Sequence, residues 1–428
     1  MSAIPVWRAP FVGALEYGVP LQRTTLAMME LDDAWAQLEA TLPAPHREER
    51  LPLRAALGRI LSETPRATHP VPPFPASAMD GYACRAEELA ALGKAGLAVV
   101  GTAWAGQPWN EALPPGSCIR IFTGAPVPPS CDSVLPQEEC RREGDRIFVE
   151  ETLQGGRYVR PAGGDVAEGQ PLGHPGLALH ARHLGLFAAA GLDAVRCWRR
   201  PRVALLSTGD ELAKPGAPLA WGQIHDASQA LLPAALAALP VEVLGCWHSR
   251  DDTAALERTL GEMLEAGADA LISTGGVSVG DADVLRPWLE QQGALTFHRL
   301  ALKPGRPFSY GMLQGQRAFF GLPGNPVSAF ATFHLLVAPA LRVLAGETPT
   351  PPLRIRGALA KALKKAPGRR DFQRGIFTPT AQGFSVEAFD AQDSHLLSGL
   401  AEANCLIDLP LPEGDLPAGA EVTFLPLT

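Results

Sequence analysis

The sequence predicts a multidomain protein that combines α/β and all-β units: a central three-layer α/β domain with ligand turns at the carboxyl ends of its strands, a small β domain, a C-terminal β-barrel-like domain and a discontinuous N-terminal linker domain. Three observations carry this expectation. A chain of 428 residues is longer than one average domain. Between Pro201 and Gly346, strand-like apolar runs alternate with Ala/Leu-rich stretches, the pattern of a parallel sheet covered by helices. On both sides of that region the texture changes to short β-like runs broken by Pro and Gly.

Taken in order, residues 1–27 read as a loose arm in which Arg8, Glu16 and Arg23 break up any signal-peptide hydrophobic region, so export is not expected. Leu31, Trp35, Leu38 and Leu42 then recur at helical spacing behind the acidic start Asp32-Asp33. From Val71 to Arg160 the runs Leu97–Val100, Ile119–Phe122 and Ile147–Val149 are separated by Pro pairs such as Pro72-Pro73 and Pro114-Pro115. A helical stretch from His180 to Leu192 returns the chain to the domain of the first helix. In the central region the strands are Val203–Ser207, Val241–Trp247, Ala270–Ser273 and Ala318–Phe320. The last segment carries Leu353–Ala358, Phe372–Phe377, Cys405–Leu409 and Glu421–Leu425. The expected units are therefore 28–70 with 166–200, 71–165, 201–348 and 349–428. One stretch, Ala318 to Leu341, is long and uncharged enough to suggest a membrane span, but Gly321, Pro323, Gly324, Asn325, Pro326 and His334 interrupt it. A buried strand, turn and helix accounts for it better.

A net charge of −8 argues against nonspecific nucleic-acid binding and against a polybasic membrane surface, which leaves small-molecule chemistry in front. Seven cysteines, an odd number with no C-x-x-C pair, support neither a disulfide framework nor a thiolate zinc site and fit the reducing cytoplasm. His180 and His183 have no third ligand in view.

In an open α/β sheet, ligands bind beyond the carboxyl ends of the strands. The first such turn, Ser207-Thr208-Gly209-Asp210-Glu211, ends a strand in a glycine followed by two carboxylates, which fit either metal ligation or charge at a helix start. The second, Thr274-Gly275-Gly276-Val277-Ser278-Val279-Gly280-Asp281-Ala282-Asp283, reads as a phosphate cradle. Its glycines let backbone N–H groups approach an anion, its hydroxyls add donors, and Asp281 and Asp283 suit the Mg²⁺ that phosphates bring. It matches neither the Walker A nor the G-x-G-x-x-G pattern. The third, Gly321-Leu322-Pro323-Gly324-Asn325-Pro326, is a rigid turn into an apolar helix. Upstream, Lys303-Pro304-Gly305-Arg306-Pro307 places two cations on a constrained loop, and since only six of the 37 basic residues are lysines, Lys303 reads as a phosphate-neutralising group. Outside this region stand Asp80 in Ser77-Ala78-Met79-Asp80-Gly81-Tyr82, Thr123 in a turn after a strand, Arg374 in Asp371-Phe372-Gln373-Arg374-Gly375, and Ser394 beside His395.

Together these motifs, in this order across nearly the whole chain, resemble the molybdopterin molybdenumtransferases, the MoeA and gephyrin E-domain family. The resemblance implies an enzyme that cleaves the phosphoanhydride of adenylylated molybdopterin with Mg²⁺, releases AMP and inserts molybdate into the dithiolene. By the same resemblance, Asp80, Thr123, Asp226, Asp283 and Lys303 are expected to be catalytic. Ser207, Gly209, Thr274, Gly275, Gly276, Ser278, Gly280, Arg299, Pro304, Arg306 and Asn325 are expected to bind substrate and its phosphates. Arg374 and Ser394 are expected to bind molybdate, and Asp210, Glu211, Asp281 and Asp283 the metal. Its implied partners are a second copy of the chain, which completes the cleft, and other molybdenum cofactor synthesis enzymes. Two departures stand out: Arg299 where relatives often place Lys, and His225-Asp226 where a Tyr-Asp pair is common. Arginine keeps the charge but not the shape, so tungstate in place of molybdate is an open alternative. So are a molybdopterin adenylyltransferase-like enzyme and a noncatalytic scaffold of the gephyrin type.

Overall fold

The central strands are apolar on both faces, and the fold buries both. In the computed structural model the described residues are 28–92, 95–149, 155–276, 285, 288–289, 295–313 and 316–427. The expected arm, 1–27, therefore lies outside them. Strands β1 (Arg202–Thr208), β2 (Glu242–Ser249), β3 (Ala270–Thr274), β4 (Leu295–Arg299), β5 (Pro307–Leu313) and β6 (Arg317–Leu322) form one sheet in the order β2-β1-β3-β6-β5-β4. The first four in that order are parallel, and β5 and β4 close the edge antiparallel.

Helices α1 (Leu31–Thr41), α2 (Ser228–Leu236), α3 (Thr253–Glu265) and α4 (Pro326–Leu344, with a π-helical turn at Phe333–Val337) cover this sheet. Side chains alternate across a strand. Val203, Leu205, Ile272 and Phe320 accordingly enter the core with α1, α2 and α4, whereas Ala204, Leu206, Leu271 and Phe319 enter a second core under α3. Asp252 caps α3 by accepting the N–H groups of Ala254 (3.2 Å) and Ala255 (3.0 Å). Among the described residues α4 is the one helix long and apolar enough to cross a membrane, with a mean hydropathy of 1.7. Leu336, Val337 and Leu341 are instead packed in the first core.

That core continues into the C-terminal segment through Phe372, Leu406 and Leu425. There five strands close a barrel, because Arg370–Thr380 pairs with Cys405–Leu409 through its first half and with Gly383–Ala388 through its second. Ile355–Leu359 and Glu421–Pro426 complete the ring. Leu302–Lys303 joins it from the central chain, in parallel register with Arg370 and Asp371.

The segment 71–165 holds a mixed sheet of six strands, ordered Ser133–Pro136, Gly81–Cys84, Ser117–Ile121, Leu97–Ala103, Arg146–Phe148 and Arg141–Glu143. Glu48–Pro52 pairs antiparallel with Ala194–Trp198 across more than 140 residues of chain. The structure adds strands that the sequence reading passes over. Proline is tolerated at the first residue of a strand, so Pro307 starts β5 although the run before it reads as a loop. Gly383–Ala388 is masked by its polarity, with only Val386 fully buried.

One buried carboxylate ties the barrel to the rest. Asp408, 4% exposed, accepts from Arg370 Nε (2.7 Å) and Nη2 (2.8 Å) and also pairs with Arg354, while Arg370 Nη1 reaches Asp32 of α1 (3.1 Å). Removing one partner of a buried pair strands the other charge. Asp408→Ala is therefore expected to destabilise the protein by about 3–5 kcal/mol in denaturant unfolding. A loss below about 1 kcal/mol would mean that these pairs behave as surface ion pairs.

Candidate active site

Because β1, β3 and β6 are parallel, their carboxyl ends open on one edge of the sheet, and the three glycine-bearing turns meet there. They enclose a cavity of about 270 Å³ lined by Thr208, Gly209, Glu211, Asp226, Asp251, Thr274, Gly275, Gly276 and Gly324, with Leu212, Ile224 and His225 along one wall. Gly275 (φ +83°) and Gly276 (φ +67°) adopt left-handed backbone that glycine alone takes at little cost. A Cβ on Gly275 would stand 2.9 Å from Thr208 Oγ1, and one on Gly324 would sit 3.5 Å from Gly275 Cα, so the turns approach backbone to backbone.

The polar groups of the cavity are unevenly satisfied. Thr208 Oγ1 donates to the Thr274 carbonyl (3.4 Å). Asp226 follows the short strand Ile224–His225, which pairs with Leu212–Ala213, and is 2% exposed. Its Oδ1 accepts the N–H groups of Ser228 (3.0 Å) and Gln229 (3.3 Å), capping the start of α2, but its Oδ2 is buried with no partner among the described residues. Buried carboxylate oxygen without a donor or cation is costly, so this atom marks where a ligand's donor or a hard cation belongs. Glu211 is exposed and folds its carboxylate back over Gly209. Asp210 is exposed and does not line the cavity.

Other expected residues are distributed around this centre. Ser207 points away from the cavity, as alternation requires once Thr208 points in; its Oγ accepts from Gln229 Nε2 (3.5 Å) and lies 3.4 Å from His248 Nδ1. Asn325 caps α4 through the Val327 N–H (3.3 Å), between two residues that line the cavity. Lys303 donates to the buried Asp371 (3.3 Å), fastened by the added barrel strand, with Pro304 next to it. Arg299, half-buried on β4, and the exposed Arg306 do not line the cavity. Ser278, Gly280, Asp281 and Asp283 lie outside the described residues.

Arg374 is 2% exposed and spends its guanidinium on backbone carbonyls, donating to Leu396 (2.6 Å), Ala391 (3.1 Å) and Asp393 (3.1 Å). Burial pushes its pKa down, with Asp393 acting in the opposite sense. The loop it holds carries the half-buried Ser394, and the following helix, Leu397–Glu402, packs against the first turns of α4. Arg374 thus positions the loop, and Ser394 is the side of that pair left accessible.

Asp80 and Thr123 meet each other but not this cavity. The Asp80 carboxylate accepts the Thr123 N–H (2.8 Å) and hydroxyl (2.8 Å), which hold its pKa below the ordinary 3.8, with Arg120 adding a smaller push the same way. Asp251 was not singled out by the sequence. It follows β2 in a turn without glycine, and the available signal was that β2, parallel to β1, also ends at this edge. Among the described residues no three His, Cys, Asp or Glu side chains cluster closely enough to hold a metal by themselves. The cysteine thiols are poor nucleophiles: burial pushes Cys131, Cys140 and Cys197 up to about 11 and Cys118 and Cys405 to about 12.

Gly275→Ala is expected to leave the fold intact and abolish ligand binding in the cavity, read by calorimetry; unchanged affinity would show that the turn does not contact the ligand. Thr123→Val is expected to raise the Asp80 pKa in an NMR titration of its carboxyl carbon. Since the folded pKa is depressed, the contact's contribution to stability is complete above pH 3.8 and is lost as pH falls through the folded value. An unmoved titration would remove the hydroxyl from that account.

The whole chain can be set beside known proteins. Residues 29–191 match the family model of the MoeA N-terminal region (domain I and II), residues 204–343 that of a probable molybdopterin binding domain, and residues 356–427 that of the MoeA C-terminal region (domain IV). A molybdopterin molybdenumtransferase of Haemophilus influenzae is 38% identical over 402 residues, covering 93% of this chain and 98% of that one. Molybdopterin molybdenumtransferase 2 of Mycobacterium tuberculosis is 34% identical, covering 88% and 95%. A crystal structure of a molybdopterin biosynthesis MoeA protein from Pyrococcus horikoshii superposes with a TM-score of 0.80 at 26% identity, covering 94% of this chain and 100% of that one. With strand-end turns, barrel and N-terminal region all accounted for by the same relatives, the chain belongs to the MoeA family of molybdopterin molybdenumtransferases, enzymes of molybdenum cofactor biosynthesis.

Proposed function

We propose that the enzyme takes adenylylated molybdopterin, cleaves its phosphoanhydride, releases AMP and inserts molybdate into the dithiolene, acting in the cytoplasm. The observation that carries this reading is the orphaned Oδ2 of Asp226 in a cavity walled by glycine backbone. Backbone N–H groups of the Gly275-Gly276 turn bind phosphate oxygens there without Cβ interference. Lys303, held by Asp371 at the edge of the barrel, acts in this reading as a point neutraliser of the phosphates.

The donor set fits Mg²⁺, a hard cation bound through one or two carboxylates with substrate phosphates and water filling the rest. Asp226, through its unpartnered Oδ2, is the described residue that would hold it, with Asp281 or Asp283 as the proposed second carboxylate, while Glu211 and Asp251 also line the cavity. When bound, Mg²⁺ offsets charge on the phosphoanhydride. Asp226 orients the attacking oxygen or the metal's shell, while the hydroxyls of Thr208 and Thr274 and the Asn325 cap hold the phosphate end in place. Molybdate, a tetrahedral oxyanion, is received near Ser394, on the loop that Arg374 holds.

Asp80 and Thr123, absent from the lining of this chain's cavity, serve the cleft of a second copy in a homodimer. The test is AMP release from adenylylated molybdopterin with Mg²⁺, with and without molybdate, following metal capture in parallel. Asp226→Asn is expected to slow release roughly 100-fold, the scale on which a positioned acid or base acts, and mixed dimers of Asp80→Ala with Asp226→Ala chains are expected to recover one working site. Absence of release by the folded protein would overturn the reaction, and no recovery in mixed dimers would overturn the shared site.

A further inference from the structure

The chain passes twice between the central sheet and the strand pair formed by Glu48–Pro52 and Ala194–Trp198. It leaves α1 through residues 43–47, and it returns through residues 199–201 into β1. The two crossings run side by side, stitched by the Arg199 N–H to the Arg47 carbonyl (2.8 Å). A cavity of about 290 Å³ opens at this point. Pro201, Asp269 and Arg317 place it at the amino ends of β1, β3 and β6, the edge of the sheet opposite the candidate active site.

Its lining is cationic in a chain whose net charge is −8. Arg47, Arg199, Arg317 and His46 face one carboxylate, Asp269. That carboxylate is already committed, since its Oδ2 accepts from Arg199 Nη2 (2.8 Å) and from the Arg202 N–H (2.7 Å). Arg199 Nε is buried with no acceptor. The Arg317 side chain is half-buried and, like that of Arg47, has no hydrogen-bond or ion-pair partner among the described residues. A guanidinium N–H shut away from water without an acceptor is costly, and gathered like charges add repulsion. A bound anion removes both penalties.

We propose that this cavity is an oxyanion site that takes a tetrahedral dianion of the phosphate class, held by Arg317 and Arg199 across the double crossing. The planar guanidinium matches two oxygens of such an ion at once. The consequence is mechanical: the anion ties the central domain to the unit through which the chain continues to Asp80 and Thr123. The site shares no residue with the candidate active site and does not rest on the reaction proposed above.

The test titrates inorganic phosphate, sulfate and molybdate in turn into the full-length protein by calorimetry, with ionic strength held constant by chloride. Phosphate and sulfate are expected to bind saturably. Arg317→Gln is expected to weaken that binding about tenfold or more, the scale of one lost charge-assisted contact, with Arg317→Lys in between and Asp226→Asn without effect. Circular dichroism checks each variant, and Arg317→Lys, which keeps the charge but not the planar fork, carries the test should Arg317→Gln fail to fold. No saturable binding, or equal binding by the folded arginine variants, would overturn the site. Binding of molybdate alone would overturn its assignment to the phosphate class.

Discussion

Burial of the central sheet on both faces is the constraint on which the remaining architecture depends. A strand such as Val203-Ala204-Leu205-Leu206 has no solvent side, so helices must cover it from above and below. That requirement leaves only the strand ends for chemistry. It also explains α4: a helix apolar enough for a membrane is here the inner layer of a protein core, and its capped start is delivered to the strand ends by β6.

The same core reaches beyond the sheet. Phe372, Leu406 and Leu425 bring the barrel onto it, and the strand extension at Leu302–Lys303 turns a loop of the central chain into part of the barrel wall. Lys303 is thereby presented on a fixed backbone rather than on a free loop. Asp408 and Arg370 extend the connection to Asp32 on α1, so helix, sheet and barrel share both apolar and ionic ties.

Against this rigid frame, the unsatisfied groups are informative because they are few. Eight buried side-chain polar atoms lack a partner among the described residues, and two of them belong to residues that line the cavities: Asp226 Oδ2 at one edge of the sheet and Arg199 Nε at the other. Their signs are opposite: a carboxylate oxygen waits for a donor or cation, and a guanidinium for an anion. Arg374 shows the contrary case. Three of its five N–H donors go to carbonyls of the loop around Ser394, so it holds that loop in place.

The α/β and all-β character, and the glycine turns at the strand ends, were legible in the sequence because both are local: alternation and helical spacing report burial, and adjacent glycines report backbone free to turn left-handed. The resemblance to the MoeA family rested on the same motifs. Tertiary structure alone decided which of those residues meet. Ser207 and Thr208 are adjacent in sequence, yet pleating sends only Thr208 into the cavity. Asp251 joins it from a turn with no local mark, because parallel pairing of β2 with β1 is a long-range event. That Arg374 is buried and holds the loop around Ser394 through backbone carbonyls was likewise not visible in the sequence. Periodicity and spacing are properties of a few neighbouring residues, whereas convergence and hydrogen-bond satisfaction depend on partners tens to hundreds of positions away.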